Sequence, residues 1–195
     1  MSQIFKNPAI FKDGIDPFDI KQGALGDCYF LAVLSSMAED PKDIQALFHT
    51  QQINSAGCYL VFLYINGVKR SVIIDDYLPV KYGQPLYAKS RDEEVWVCLL
   101  EKAWAKLHGN YKRVEGGDPC FASNHVAGVP GKRLDHRDED LNEADFAALL
   151  KECDRREYTM IAATPGQGES LNAYGIVAGH AYSLISVTDV NDNGE

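Results

Sequence analysis

The segment of residues 22–32, QGALGDCYFLA, holds a cysteine in a setting that favours nucleophilic chemistry. Asp27 is a good N-cap residue, so the apolar run after it predicts a helix that begins at Cys28. A thiol at a helix N-terminus meets the positive end of the helix dipole and free N–H groups, which favour thiolate over thiol. Gln22 lies upstream on a glycine-containing loop, and its side-chain amide could donate to an oxyanion. These residue types are typical of covalent attack on a carbonyl carbon.

A nucleophilic cysteine needs a base, and the sequence favours His180. This histidine follows a glycine-rich loop and opens a β-prone segment, AYSLI, which would fix an imidazole in place. A packed histidine at a strand end is the alternative interpretation of the same residue. The other histidines lie near predicted helix ends or in polar loops, where a solvated role is expected: His49, His108, His125 and His136.

The other cysteines give no sign of a disulfide framework or a zinc site. The total of five is odd, the cysteines are widely scattered, and no CxxC pair occurs. We interpret the remaining four as packing residues within strand, helix or loop patterns: Cys58, Cys98, Cys120 and Cys153.

Composition excludes several classes of partner. The formal charge is −9, and no dense run of Lys and Arg occurs, which argues against binding to nucleic acid or to an anionic membrane surface. No apolar stretch approaches the about 18 residues that a membrane span needs, and the N-terminus lacks a signal-peptide pattern. We therefore expect a soluble cytoplasmic protein. An acidic chain is also able to bind calcium.

The first half of the chain predicts helices around a β-hairpin. Apolar residues are dense over residues 28–38, which indicates a largely buried central helix, and residues 41–47 predict a second short helix. Two β-prone runs flank Asn66 and Gly67, the dipeptide that best supplies the positive φ angles of a tight hairpin turn. Residues 92–109 return to helical spacing and predict a long amphipathic helix.

The character of the sequence changes in the glycine-rich stretch of residues 116–131, where we predict a hinge between two lobes. A capping-box pattern over residues 140–143 predicts a helix, and two β-prone runs flank a glycine-rich loop at 165–179. The predicted organisation is a helical lobe over residues 1–125 and a partial β-rich lobe over residues 126–195.

Five segments, in this order, resemble the calpain family of papain-like cysteine proteases: QGALGDCYFLA, VIIDDYLPV, VWVCLLEKAWAKLHGNY, EGG and GIVAGHAYSLI. The resemblance implies an α+β fold, the papain-like two-lobe core, with a helical first lobe and an incomplete β-rich second lobe. It implies an endopeptidase in which Cys28 attacks the peptide carbonyl and His180 transfers the proton. Gln22 and the Cys28 N–H would stabilise the oxyanion, and the substrates would be proteins or peptides.

One element of the family pattern is missing. In the family an asparagine in an NPWG-like motif follows the histidine and orients it, and no such motif occurs in the 195 residues. Asn191 and Asn193 come too early and in the wrong context. We therefore expect an incomplete core, with further domains beyond the C-terminus. A catalytically silent calpain-like binding module and another papain-like acyl transferase are the alternative hypotheses.

The resemblance also implies a calcium site in the first lobe. The matching positions are the carboxylates of Asp19 and Glu101 and the backbone carbonyls of Lys12 and Gly14. Hard oxygen ligands from a loop and a helix suit Ca²⁺. On spacing alone, Asp19 and Glu101 would be interpreted as two solvated carboxylates. The second calcium site of the family uses residues that this chain does not contain, so one site is expected.

Overall fold

The computed structural model describes residues 1, 3–91, 93–135, 142–166 and 170–190. The helices are α1 (Cys28–Met37), α2 (Pro41–Gln45), α3 (Trp96–Leu107), α4 (Pro119–Val126) and α5 (Glu143–Arg155), with 3₁₀ turns at Pro17–Asp19 and Tyr111–Val114. The strands are β1 (Cys58–Ile65), β2 (Val68–Asp75), β3 (Val80–Lys81), β4 (Gln84–Pro85), β5 (Ile161–Ala163) and β6 (Ala181–Ser183). They form three antiparallel pairs, β1–β2, β3–β4 and β5–β6. None of the helices in this described part is long and apolar enough to cross a bilayer.

Helix α1 is the central helix that the sequence predicts. Eight of its ten residues are buried, so it is covered around most of its circumference. Phe30 stacks on Trp104 of α3, with ring centroids 4.9 Å apart and an interplanar angle of 7°. The indole N–H of Trp104 donates to the Tyr29 hydroxyl over 3.2 Å, and this hydroxyl donates to the Val114 carbonyl over 3.1 Å. The polar ends of both aromatic residues are therefore satisfied inside the core.

The predicted hairpin is confirmed. Asn66 and Gly67 have φ angles of 52° and 73°, as a tight two-residue turn between twisted strands requires. Every second residue of β1 points into the core: Tyr59, Val61 and Leu63.

A helix occupies the stretch in which we predicted a hinge. The Asp118 side chain caps α4 by accepting from Cys120 N and Phe121 N, and Pro119 takes the first helical position. Helix α4 packs against α1 and β1, so it adds to the helical part of the molecule. No helix was predicted here because few apolar residues recur in this segment, although its capping residues are visible in the sequence. The lobe boundary at residue 125 stays a prediction.

The second unit consists of α5 and the β5–β6 pair. Asn142, and not residue 140, caps α5 by accepting from Asp145 N over 2.9 Å, while residue 140 lies outside the described residues. The β5–β6 pair packs on α1. Two serine hydroxyls of α1 make this contact: Ser35 Oγ lies 3.1 Å from Ser183 Oγ, and Ser36 Oγ accepts from Met160 N over 3.1 Å.

We predict that Trp104→Ala lowers the free energy of unfolding by about 3–5 kcal/mol, because it removes the ring that stacks on Phe30 and leaves a cavity between α1 and α3. Urea unfolding followed by circular dichroism measures the loss. Phe18→Ala is the control, since Phe18 is 65% exposed and its removal should change stability little. Equal effects of the two substitutions would contradict the central position of the α1–α3 contact.

Candidate active site

A groove of about 210 Å³ runs between α1 and the β5–β6 pair. Gln22 and Cys28 line one side of it, and His180 and Tyr182 line the other. The structure thus brings together all three side chains for which the sequence predicts catalytic roles, although they come from two distant segments. The rest of the wall is mostly apolar, with residues of α1 and of the preceding 3₁₀ turn: Pro17, Ile20, Leu31, Ala32 and Ser35.

Cys28 is the first residue of α1 and is half-buried at the groove. The helix begins where the sequence predicts, but the predicted side-chain cap is absent. Asp27 makes no cap hydrogen bond with its side chain, while its backbone carbonyl accepts from Phe30 N over 2.9 Å. Burial raises the pKa of the Cys98 thiol on α3 to about 12, which fits its interpretation as a packing residue.

The loop before Cys28 is held against another segment, residues 86–89. Lys21 and Lys89 exchange backbone hydrogen bonds of 2.9 and 3.0 Å, and Ala24 N donates to the Leu86 carbonyl over 3.0 Å. Gly23 fits against this neighbour because it lacks a side chain: a Cβ atom there would lie 2.2 Å from the carbonyl oxygen of Tyr87. Backbone pairing therefore fixes the path of the loop on which Gln22 sits.

The Gln22 side chain is partly engaged in its own loop. Its Nε2 atom donates to the Leu25 carbonyl over 2.7 Å. A primary amide carries two N–H groups, so one donor is left over. This side chain also lines the groove, and the second N–H is the donor available there.

His180 is held by its backbone and by a neighbouring ring. Its N–H donates to Thr164 Oγ1 over 3.1 Å, and its carbonyl accepts from Thr164 N over 2.9 Å. The imidazole packs edge-on against Tyr182, with ring centroids 4.9 Å apart. Val177 N donates to the Tyr182 hydroxyl over 2.9 Å and thereby fixes that ring. Sequence reasoning missed Tyr182, whose only signal was its place two residues after the histidine in a β-prone run.

No hydrogen bond from a residue of the described part reaches an imidazole nitrogen of His180. The tautomer of the ring is consequently not fixed by a partner within residues 1, 3–91, 93–135, 142–166 and 170–190. Asn191 and Asn193, which the sequence analysis set aside, lie outside those residues.

A buried carboxylate meets the loop that carries Lys12 and Gly14, but it belongs to Glu94. One Glu94 oxygen accepts from Lys12 N, and the other accepts from the Trp96 indole N–H over 3.3 Å. Burial, together with the nearby charges of Asp19 and Asp13, raises the pKa of Glu94 to about 7. In the sequence, Glu94 falls within the predicted helix of residues 92–109, and no site role was expected for it.

Glu101 is placed elsewhere, which corrects the ligand set expected from the resemblance. Its side chain is buried in the core, where Oε1 accepts from Ala88 N over 2.9 Å and the carboxyl group faces that of Asp27. Glu94, and not Glu101, lies beside the loop of residues 12–19. Within the described part of the chain, no three His, Cys, Asp or Glu side chains converge on a point that could hold a metal ion.

A cysteine at a helix N-terminus that shares a groove with a histidine from a separate small sheet is the arrangement of a papain-like cysteine protease core. The family model for calpain family cysteine proteases matches residues 1–195. The chain belongs to this family, and its mixture of helices and small sheets is the α+β core that the sequence predicts.

Individual relatives agree with this family. A calpain-type cysteine protease of Oryza sativa subsp. japonica is 34% identical over 96% of this chain, which covers 9% of the rice protein. Calpain-A of Drosophila melanogaster is 34% identical over 95% of this chain, which covers 23% of the fly protein. Calpain-8 of Rattus norvegicus is 30% identical over 99% of this chain, which covers 28% of the rat protein. The chain thus spans less than a third of the length of each of these relatives.

We predict that Gly23→Ala destabilises the protein by about 1–3 kcal/mol, because the new methyl group collides with the Tyr87 backbone and displaces the loop before Cys28. Gly26→Ala is the matched control in the same loop. A Cβ atom there meets only the Glu115 side chain, at 3.4 Å. Thermal unfolding of both variants measures the difference, and a Gly23→Ala protein as stable as Gly26→Ala would show that the loop is not clamped by its neighbour.

Proposed function

We propose that this chain provides the catalytic core of a calcium-dependent cysteine endopeptidase of the calpain type. The observation that carries the proposal is the groove shared by Cys28, Gln22 and His180. A groove open along one side accepts an extended peptide, and its apolar wall along α1 suits the side chains of a protein substrate. The expected cytoplasmic location is part of the proposal, and the five free cysteines suit a reducing compartment.

The proposed reaction begins with transfer of the Cys28 thiol proton to the His180 imidazole. The thiolate then attacks the carbonyl carbon of the peptide, and the carbonyl π-bond electrons move to its oxygen. When this tetrahedral intermediate collapses, the imidazolium gives its proton to the leaving amine, and a thioester remains on Cys28. A water molecule, deprotonated by His180, hydrolyses the thioester and restores the thiol.

The oxyanion would be stabilised by two donors that surround Cys28. One is the amide N–H of Gln22 that Leu25 does not use, and the other is the backbone N–H of Cys28, which no side-chain cap covers. In water-excluded sites such donors contribute strongly, since removal of one oxyanion-hole donor costs about 10²–10³ in kcat. The clamped backbone of the loop supports this assignment, because a donor helps only if it is already in position.

The His180 imidazole needs a partner to fix its tautomer, and we propose that a residue outside the described part supplies it. The much greater length of the relatives supports this proposal. The lack of a hydrogen bond to the ring within the described part also favours the alternative function, a calpain-like module that binds peptides or a partner protein without cleaving them.

The residues present fit a calcium ion, provided that Glu94 replaces Glu101 in the ligand set. The Glu94 carboxylate already contacts the loop at Lys12 and lies near Asp19, so these two carboxylates and the carbonyls of Lys12 and Gly14 are the candidate ligands. A bound calcium ion would supply fixed positive charge and no bond-making chemistry. Because the loop leads into the 3₁₀ turn at Pro17–Asp19, its attachment to the start of α3 would stiffen one wall of the groove.

We predict that calcium stabilises the protein, by about 2.7 kcal/mol at a concentration of 100 times Kd. Asp19→Asn and Glu94→Gln should each remove most of this shift, because each replaces a charged ligand by a neutral amide. Glu101→Gln should keep it, since Glu101 lies in the core. Thermal unfolding with calcium and with chelator is the measurement. A shift that disappears in Glu101→Gln and persists in Glu94→Gln would restore the ligand set first implied by the resemblance.

We predict that residues 1–195 alone cleave casein slowly or not at all, because His180 has no orienting partner among the described residues and the sequence holds no NPWG-like motif. In a serine protease triad, loss of the orienting group lowers kcat by about 10⁴. A longer version of the protein that contains the asparagine motif should cleave casein in calcium and not in chelator. Cys28→Ser in that version is the control and should abolish cleavage. If the longer version does not cleave casein, the silent binding module is the better description.

A further inference from the structure

Two acidic side chains meet in the core directly behind the nucleophile. Asp27, the residue before Cys28, is fully buried, and Glu101 of α3 is 2% exposed. Their carboxyl groups lie within hydrogen-bonding reach of each other. On its other side, Glu101 accepts from Ala88 N over 2.9 Å. The contact therefore joins the start of α1 to the middle of α3.

If both acids are ionised, the pair has hydrogen-bond acceptors but no donor between them. A carboxylate only accepts, so two carboxylates cannot satisfy each other. No N–H or O–H group of the described residues has hydrogen-bond geometry to either Asp27 oxygen, and none of the ion pairs found among those residues includes Asp27 or Glu101. Two buried negative charges side by side would also repel each other strongly.

Among the described residues, no cation compensates the charge of the pair. The titratable groups that face it are Cys28 and Tyr29 from α1, Cys98 from α3, and Tyr111 from the second 3₁₀ turn. Lys89, the cation near this cluster, acts on the Cys98 thiol. Burial raises the pKa of both Asp27 and Glu101, and the charge of Asp27 raises that of Glu101 further.

We infer that Asp27 and Glu101 share one proton and act as a positioning pair for Cys28. The shared proton gives Asp27 a hydrogen-bond partner, ties the residue before the nucleophile to α3, and limits the charge behind the thiol to one. The backbone carbonyl of Asp27 also accepts the first hydrogen bonds of α1. The contact between Asp27 and Glu101 therefore fixes the first turn of the helix. The positioning role rests on the proposed nucleophilic function of Cys28, whereas the shared proton does not.

The shared proton should make the free energy of unfolding depend on pH. The pKa of Glu101 rises from its ordinary value of 4.5 to about 9, so the folded state keeps a proton that the unfolded state releases. The folding equilibrium constant should therefore fall by up to about tenfold per pH unit between these values. In Glu101→Gln the amide donates to Asp27, and in Asp27→Asn the amide donates to Glu101. Each variant keeps the hydrogen bond without the extra proton, so its pH dependence should be flatter.

The positioning role has a second signature, in the reactivity of Cys28. Both isosteric variants keep one negative charge, but Glu101→Gln concentrates it on Asp27, beside the thiol, and Asp27→Asn moves it to Glu101. Alkylation of Cys28 by iodoacetamide at fixed pH should therefore slow by about threefold in Glu101→Gln and quicken by about threefold in Asp27→Asn. Leu99→Ala is the control: this buried α3 residue stabilises the core, and its loss should leave the rate unchanged.

The experiment combines urea unfolding from about pH 5 to about pH 9 with mass spectrometry of the Cys28 peptide, since exposed Cys58 also reacts. A wild-type pH dependence as flat as that of Glu101→Gln would overturn the shared proton. Rates that move in the same direction in both variants, or in neither, would overturn the positioning role. Neither readout requires peptide cleavage, so these outcomes are independent of whether the longer protein cleaves casein.

Discussion

The burial of α1 on nearly all sides is the constraint on which the rest of this structure depends. Helix α1 packs against α4, the 3₁₀ turn at Pro17–Asp19 and the β5–β6 pair, and its aromatic residues contact Trp104 of α3, so it cannot rotate or slide without disrupting several contacts at once. The stack of Phe30 on Trp104 and the hydroxyl of Tyr29 fix its rotation. These contacts also hold Cys28, at the first position of this helix, and they would preorganise it for the proposed nucleophilic attack.

Local chemistry was sufficient to predict most of the regular structure. The Asn66-Gly67 turn, the buried run after Asp27 and the helical spacing of α3 depend on neighbouring residues, so the sequence contains the information. Helix α4 was not predicted, because apolar residues are too sparse in this segment to show helical spacing. Its N-terminal capping residues are nevertheless visible in the sequence. Helix α5 was predicted, but its N-cap is Asn142, two residues after the predicted cap at position 140.

The site was less accessible to sequence reasoning, because its residues come from distant segments. Resemblance to a family paired Cys28 with His180, and no property of either segment alone would have done so. Glu94, and not Glu101, lies beside the loop of residues 12–19, and this placement has a physical cause. Both belong to one acidic, helix-forming segment, and only the packing of α3 decides which carboxylate turns toward the loop and which enters the core. The pairing of Asp27 with Glu101 is likewise a tertiary contact without a local signal.

The Ser35 hydroxyl connects two parts of the molecule that are distant in the sequence. It lies 3.0 Å from the Pro17 carbonyl and 3.1 Å from the Ser183 hydroxyl, so one side chain bridges the 3₁₀ turn and the sheet beside His180. With its single proton donated to Pro17, Ser35 accepts from Ser183, and the two bonds polarise each other. A displacement of the 3₁₀ turn should therefore change the free energy with which the β5–β6 pair packs on α1. In the proposed peptidase, a peptide that binds against the sheet would, by linkage, also change the affinity of the loop of residues 12–19 for the proposed calcium ion.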